Sequence, residues 1–261
     1  PPERKRIPVV LTVAEVQMVL GLMQGVEVQM VLGLMQGVEG LMARLLYGTG
    51  MRLNEGLALR VKDVDFDRMT MAVLDAKGGK HRQVPLPEAV VTSLREHLER
   101  LKLHFDQDGG WLVPLPNAYG VKNPGAERSW AWQYVFPARN LTADPQDGRL
   151  KRWHIFDSAV QQAVKQALGV AGITKKAGTH TFRHSYATHL LESGVPIYDV
   201  QKLLGHSRVE TTMIYNHVAA PVERRVKVLD TSFDYLRYRS GFYRNQPTEV
   251  QQRERRILEL R

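Results

Sequence analysis

Six side chains with chemical potential sit where the chain changes course. Arg52 follows a Gly48-Thr49-Gly50-Met51 break. His180 and Arg183 are three apart, so a helix would place them on one face. His206 follows Leu204-Gly205 at a helix end, and Tyr215 closes the run Thr211-Thr212-Met213-Ile214-Tyr215. Lys77 lies in Lys77-Gly78-Gly79-Lys80, the turn of a hairpin pattern. All six are positively charged or titratable groups, the kinds of side chain that hold an anion or move a proton. Taken singly, each has an ordinary explanation: a solvated cation, a structural histidine, a core tyrosine. A metal centre is the competing chemistry, because His180 and His184 are i, i+4. No third ligand is evident and no Glu lies between them, so no metal is expected. His184 and His189 then read as packing residues.

The elements that must position these groups are mostly helical. Gly40 to Tyr47 has a helical pattern, and the Gly48-Thr49-Gly50 break ends it. Leu53 to Leu59 predicts a short helix. Thr70 to Leu74 and Gln83 to Leu86 predict the strands of one hairpin. Glu88 to Leu103, Ser158 to Val170, Thr181 to Ser193, Ile197 to Leu204 and Glu210 to Val218 carry helical spacing, with Gly194 and Gly205 as stops. Asp108 to His154 holds all four tryptophans, many Pro and Gly, and little periodicity. It reads as an irregular insertion or a set of short elements. The fold class expected is mainly α, of the α+β kind, with a small antiparallel hairpin or sheet.

A twelve-residue sequence, EVQMVLGLMQGV, occurs at 15–26 and again at 27–38. Twelve residues turn a helix by about 120° beyond three full turns, so a continuous helix would aim the two apolar stripes differently. One copy is expected to dock and the other to form a loop or an extra helical turn.

The chain has 261 residues, 36 Lys+Arg against 27 Asp+Glu, a net charge of +9 and no cysteine. Disulfide frameworks, Cys-ligated zinc and cysteine nucleophiles are excluded. The positive balance favours a polyanionic partner such as nucleic acid. The most apolar stretch, Val16 to Leu46, is interrupted by Glu27, Gln29, Gln36, Glu39 and Arg44, which argues against a membrane span. No secretory signal is expected at the charged start, so the reading is cytoplasmic and nucleoid-associated.

In order, the strings GTGMRLNE, KGGKHRQVPL, HTFRHSYATHLL, LGHS and TTMIY resemble the tyrosine recombinase (phage integrase) family. The likeness runs from about Ile7 to Val218. It implies a catalytic set of Arg52, Lys77, His180, Arg183, His206 and Tyr215. Tyr215 would be the nucleophile that forms a 3′-phosphotyrosine, His180 the base that takes its proton, and Lys77 the donor to the 5′-oxygen. His206 would bond a nonbridging oxygen, and the two arginines would stabilise the charge that develops on the phosphorane. Glu55, one turn after Arg52, would orient it. Rejoining needs neither ATP nor metal, so no cofactor is implied.

Leu115-Pro116-Asn117-Ala118, Glu127 to Ala138, Asp144-Pro145 and Arg152-Trp153-His154 resemble the insertion of integron integrases. That likeness implies gene-cassette integration and excision. It also implies stacking of extrahelical bases of folded single-stranded sites on Trp132, Pro145, Trp153 and His154. Arg149, Lys151, Arg152 and Lys80 would meet phosphates. Double-stranded sites and a tetramer spanning two DNA sites are the further partners implied.

The organisation expected is an interdomain linker at 1–8, a catalytic domain at 9–230 and a charged tail at 231–261. The duplication spans 15–38, the insertion about 108–157, and the family's N-terminal DNA-binding domain is missing. Two other functions stand beside this one. A plain recombinase or type-IB topoisomerase would use the same site without cassette preference. An inactive DNA-binding remnant would bind without forming an adduct.

Overall fold

The computed structural model describes residues 8–24, 37–74, 81–116, 119–123 and 125–216. The first repeat copy forms most of helix α1 (Val13–Gln24), whose Val16 and Val19 are fully buried against the cluster of Val164, Leu168 and Phe182. Docking of one copy therefore holds. Most of the second copy lies outside the described residues, as do the 75–80 turn and everything after Asn216.

Helix α2 (Val38–Thr49) is a central strut. It buries Leu41, Met42, Leu45 and Leu46, and it packs on α7 (Thr179–Glu192), α6 (Asp157–Val170) and α4 (Glu88–Gln107). It ends where the sequence predicts, at Gly50 with φ +65°. That left-handed conformation suits glycine. A Cβ there would also lie 2.4 Å from the Tyr186 ring, so space excludes any other residue. Short helix α3 (Leu53–Leu57) starts immediately after and carries Arg52 at its N-cap.

The predicted hairpin is present as β2 (Thr70–Leu74) and β3 (His81–Pro85), antiparallel, with Met71 opposite Val84 and Leu74 opposite His81. A two-residue strand, β1 (Val64–Asp65), adds to its edge. Met71, Val73 and Val84 face the core, and this alternation made the hairpin visible in the sequence.

The insertion is a set of short elements. After helix α5 (Tyr119–Lys122) and two single 3₁₀ turns, strands β4 (Pro137–Ala143) and β5 (Leu150–His154) form a second antiparallel hairpin, with a register irregularity between Pro137 and Leu141. Most of β4 is exposed, so no alternation of apolar residues marks it. The base of the insertion is part of the main core: Trp111, Val113, Tyr134, Val135 and Phe136 are all buried with the α2 and α4 residues.

The chain then closes through α6 and α7. Helix α8 (Ile197–Leu204) and the one-turn α9 (Glu210–Met213) complete it. A third cluster, with Leu190, Val200, Leu204 and Tyr215 among its members, joins them to α7. No described helix is long and apolar enough to cross a membrane.

Candidate active site

Arg183 stands at the centre. It is 4% exposed on the buried face of α7. Its Nη1 donates to Gly50 O at 2.6 Å, and its Nη2 to Leu204 O at 2.7 Å. Both acceptors belong to the two glycine breaks, because Gly205 (φ +69°) caps α8 as Gly50 caps α2. Helix-end carbonyls lack intrahelical partners, and the guanidinium supplies them. The charge is thereby held by dipoles and left unneutralised. Burial, with Arg52 nearby, pulls the Arg183 pKa down to about 10, which still leaves it protonated at neutral pH.

Arg183 Nη2 also donates to His206 Nε2 at 3.0 Å. Nε2 must then be the acceptor, so the ring proton sits on Nδ1 and is donated to Thr212 Oγ1 at 2.9 Å. Thr212 is fully buried, so it fixes the ring from below. Burial and the neighbouring Arg183, Arg52 and Arg82 push the His206 pKa down to about 4, which keeps the imidazole neutral. In this arrangement Nε2 accepts. Donation to a phosphate oxygen, the role the family resemblance implies, requires a second ring proton, which an anion in the pocket would favour.

Arg52 is the solvent-facing cation, with its side chain 40% exposed. Its Nη1 donates to Glu55 Oε1 at 2.9 Å, and Glu55 Oε2 accepts the Arg52 backbone N–H at 2.8 Å. Glu55 is buried and shares its carboxylate with Arg82 on β3. Burial opposes its ionisation, but the Arg82 hydrogen bonds and charge outweigh that and hold its pKa below the usual carboxylate range.

Tyr215 is 2% exposed and packed in the third cluster. Its ring lies 13° from parallel with that of His206, at a centroid distance of 6.4 Å. The hydroxyl is hydrogen-bonded to His184 Nδ1 at 2.9 Å. Burial raises the phenol pKa against the lowering pull of Arg183 and Arg52. His184 is therefore a partner of Tyr215, and its reading as a packing residue is corrected. His180, expected to serve the phenol, is exposed at the first turn of α7, and the hydroxyl is held by His184. His189 accepts or donates a 3.0 Å bond with Tyr47 Oη, away from the pocket. Lys77 and Lys80 lie outside the described residues.

Arg52, Arg183, His206, Tyr215 and Glu55 thus converge on one pocket. The residues expected to contact DNA from the insertion are dispersed. Lys151 is 6% exposed and its Nζ is paired with Asp144 at 2.6 Å and Asp147 at 2.8 Å. Arg149 is paired with Glu127 and Asp147. Arg152 donates to Ala138 O and Arg139 O and lies 4.1 Å over the Trp111 ring. Each of these three cations thus already has partners within the fold: Lys151 the two hairpin aspartates, Arg149 also Glu127 of the preceding 3₁₀ turn, and Arg152 two β4 carbonyls. Trp132 is half-buried, with Lys62 over its ring at 4.6 Å and the Tyr119 ring at 4.5 Å. Its stacking surface is largely occupied. His154 bonds Ile155 O and meets the Tyr134 ring edge-on. Pro145 is exposed in the hairpin turn, and Trp153 is half-buried on β5. No cluster of three His, Asp or Glu among the described residues could hold a metal ion.

This mainly helical scaffold, with arginines, histidines and a tyrosine around one pocket, has the fold of tyrosine recombinase catalytic domains. The XerH recombinase, solved in a post-cleavage complex with its palindromic difH substrate, aligns with a TM-score of 0.58 at 24% identity, over 82% of this chain and 51% of that one. XerA recombinase aligns with a TM-score of 0.54 at 22% identity, over 94% of this chain and 67% of that one. The chain belongs to the phage integrase family, whose model matches residues 22–221. An integrase/recombinase of Escherichia coli is 48% identical over 221 residues, 84% of this chain and 62% of the relative. Tyrosine recombinase XerD of Mycobacterium leprae is 33% identical over 230 residues, 87% of this chain and 62% of the relative. The chain therefore spans a little over three-fifths of the length of these relatives.

Proposed function

We propose that the chain is the catalytic part of a site-specific DNA strand transferase. The observation that carries this reading is Tyr215 lying near-parallel to the His206 ring and within the electrostatic reach of the Arg183 and Arg52 guanidiniums. Tyr215 Oη attacks the scissile phosphorus, the bond to the 5′-oxygen breaks, and a 3′-phosphotyrosine forms. The phenol proton passes to a histidine of α7. His184 holds the hydroxyl at rest, and His180 at the exposed end of the helix serves it once the tyrosine swings toward DNA. Lys77 gives its proton to the departing 5′-oxygen. The arginines meet the extra charge of the five-coordinate transition state, the contribution that dominates such reactions. Phosphate ester energy is conserved in the adduct, so attack by a new 5′-hydroxyl reverses the step without a cofactor.

The partner in this reading is DNA, as in the XerH complex with its difH substrate. The finer reading is an integron-type enzyme acting on folded single-stranded cassette sites and on duplex sites, as a tetramer on two sites. Its proposed base contacts are Pro145, Trp153 and His154 at the second hairpin and Trp132 in the 3₁₀ turn that precedes it. A plain recombinase differs only in lacking the preference for folded sites.

Covalent trapping tests both levels. The protein is incubated with a nicked, labelled hairpin bearing an extrahelical base and, separately, with a matched plain duplex. An adduct abolished by Tyr215→Phe is expected, with the hairpin preferred. Equal adduct on both substrates removes the cassette reading. No adduct from folded, DNA-bound protein removes the enzyme and leaves a DNA-binding remnant.

A further inference from the structure

Arg82 belongs to none of the roles above, yet it joins its own strand both to α3 and to the end of α8. It sits on β3 with its side chain 12% exposed. Its Nη1 and Nη2 form a two-pronged pair with Glu55 Oε1 and Oε2 at 3.0 and 2.7 Å. Its Nε donates to Leu203 O at 3.0 Å, at the end of α8 just before Gly205-His206. The neighbouring backbone is shaped to let it pass: a Cβ on Gly205 would lie 2.9 Å from Arg82 Cδ and 3.2 Å from Nε. Each of its three nitrogens therefore has an acceptor within the fold.

We infer that Arg82 is the positioning residue of this site: it locks Glu55, which in turn aims Arg52, and it ties the hairpin to the turn that presents His206. The inference rests on the strand-transferase reading for its consequence but on geometry for its content. A buried carboxylate with a single partner would be free to rotate, and Arg52 would follow it into solvent. With the two-pronged pair in place, both Glu55 oxygens are fixed, and each has one further donor to give a place to: Oε1 to the Arg52 guanidinium and Oε2 to the Arg52 backbone N–H. A lysine at position 82 would keep the charge and lose the fork.

The test uses Arg82→Lys and Arg82→Met in the full chain, with Arg52→Ala and each double variant. Adduct formation is timed on nicked DNA carrying either a normal scissile phosphate or a methylphosphonate, which lacks the anionic oxygen that Arg52 would neutralise. On normal DNA, Arg82→Met is expected to slow the adduct by about 100-fold, the scale of a misplaced catalytic group. On methylphosphonate the loss should shrink to under about tenfold, and adding Arg52→Ala should cost little more, as for residues acting as one unit. Equal losses on both substrates, or losses that multiply in the double variant, overturn the inference. A second readout does not depend on activity. The Arg52 Nε–Hε signal, assigned through Arg52→Lys, should exchange with water faster in Arg82→Lys than in the parent chain, and an unchanged rate overturns it. If the parent chain forms no Tyr215-dependent adduct, the strand-transferase reading fails, and this exchange rate alone decides the role of Arg82.

Discussion

Two regions of this molecule are rich in cations, and they treat them in opposite ways. In the second hairpin, Lys151 is held by Asp144 and Asp147, and Arg149 by Glu127 and Asp147. In the pocket, Arg183 is held by two carbonyl oxygens and a neutral imidazole, and Arg52 shares one carboxylate with Arg82. The hairpin's charge is consumed by its own fold. The pocket's charge remains available to a ligand. Counting Lys and Arg along a sequence cannot separate these cases, whereas the identity of each acceptor does.

The sharpest way to break the comparison is a matched pair of substitutions. Arg183→Lys keeps a charge and loses the fork, and adduct formation should fall by about 100- to 1,000-fold, the cost of removing one preorganised donor to developing charge. Lys151→Met should lower the thermal midpoint instead. Its rate on a plain duplex should stay within about twofold, as expected for distant, independent sites. Reversed results would mean that the hairpin cations serve DNA after all.

A smaller effect is expected at His184. Its bond to the Tyr215 hydroxyl is neutral, and one such bond contributes about 1 kcal/mol, or roughly fivefold in population. His184→Phe should therefore speed nitration of Tyr215 by tetranitromethane about fivefold, read by peptide mass. An unchanged rate would show that packing alone, and not His184, holds the tyrosine in.

The smallest separation is in acid. Burial and neighbouring cations lower the His206 pKa from the ordinary 6.5 to about 4. The unfolded chain therefore binds a proton that the folded pocket refuses, and stability falls as the pH drops from 6.5 towards 4. Asp144 and Asp147 are also lowered, chiefly by their bonds to Lys151, but from 3.8. Their contribution is complete above 3.8 and is lost only below it. Hydrogen exchange at α8 and α9 should accelerate between pH 6.5 and 4 while the β4–β5 amides hold. Simultaneous loss would mean that the two regions unfold as one unit.

Much of this was legible in the sequence. The glycine breaks ended α2 and α8 where expected, because a left-handed residue at a helix end leaves a local signature. Arg52, Arg183, His206 and Tyr215 could be picked out as a set because their strings occur in family order. What the strings hid were partnerships across long separations. Arg82 lies 27 residues from Glu55 and 121 from Leu203, and nothing in Lys80-His81-Arg82 distinguishes it from a solvated cation. Buried Glu55 was the available clue, since a buried carboxylate demands a counter-ion. His184 was misread because a histidine beside Arg183 on a helix fits packing equally well. The second hairpin escaped because β4 is largely solvent-facing, and the turn that brings Asp144 and Asp147 to Lys151 is announced by no periodicity.

The two left-handed glycines carry a consequence for how this pocket can change over generations. Gly50 is itself one of the acceptors of the Arg183 fork, and Gly205 follows the other, Leu204. A side chain at either position would be strained by the positive φ, and it would press on the Tyr186 ring at Gly50 and on the Arg82 side chain at Gly205. Random substitution at either should be purged as severely as substitution of the arginine they flank, although neither glycine has a group that could touch a substrate. Part of the information that defines this pocket is therefore written as hydrogen atoms, at positions where any larger group carries a cost.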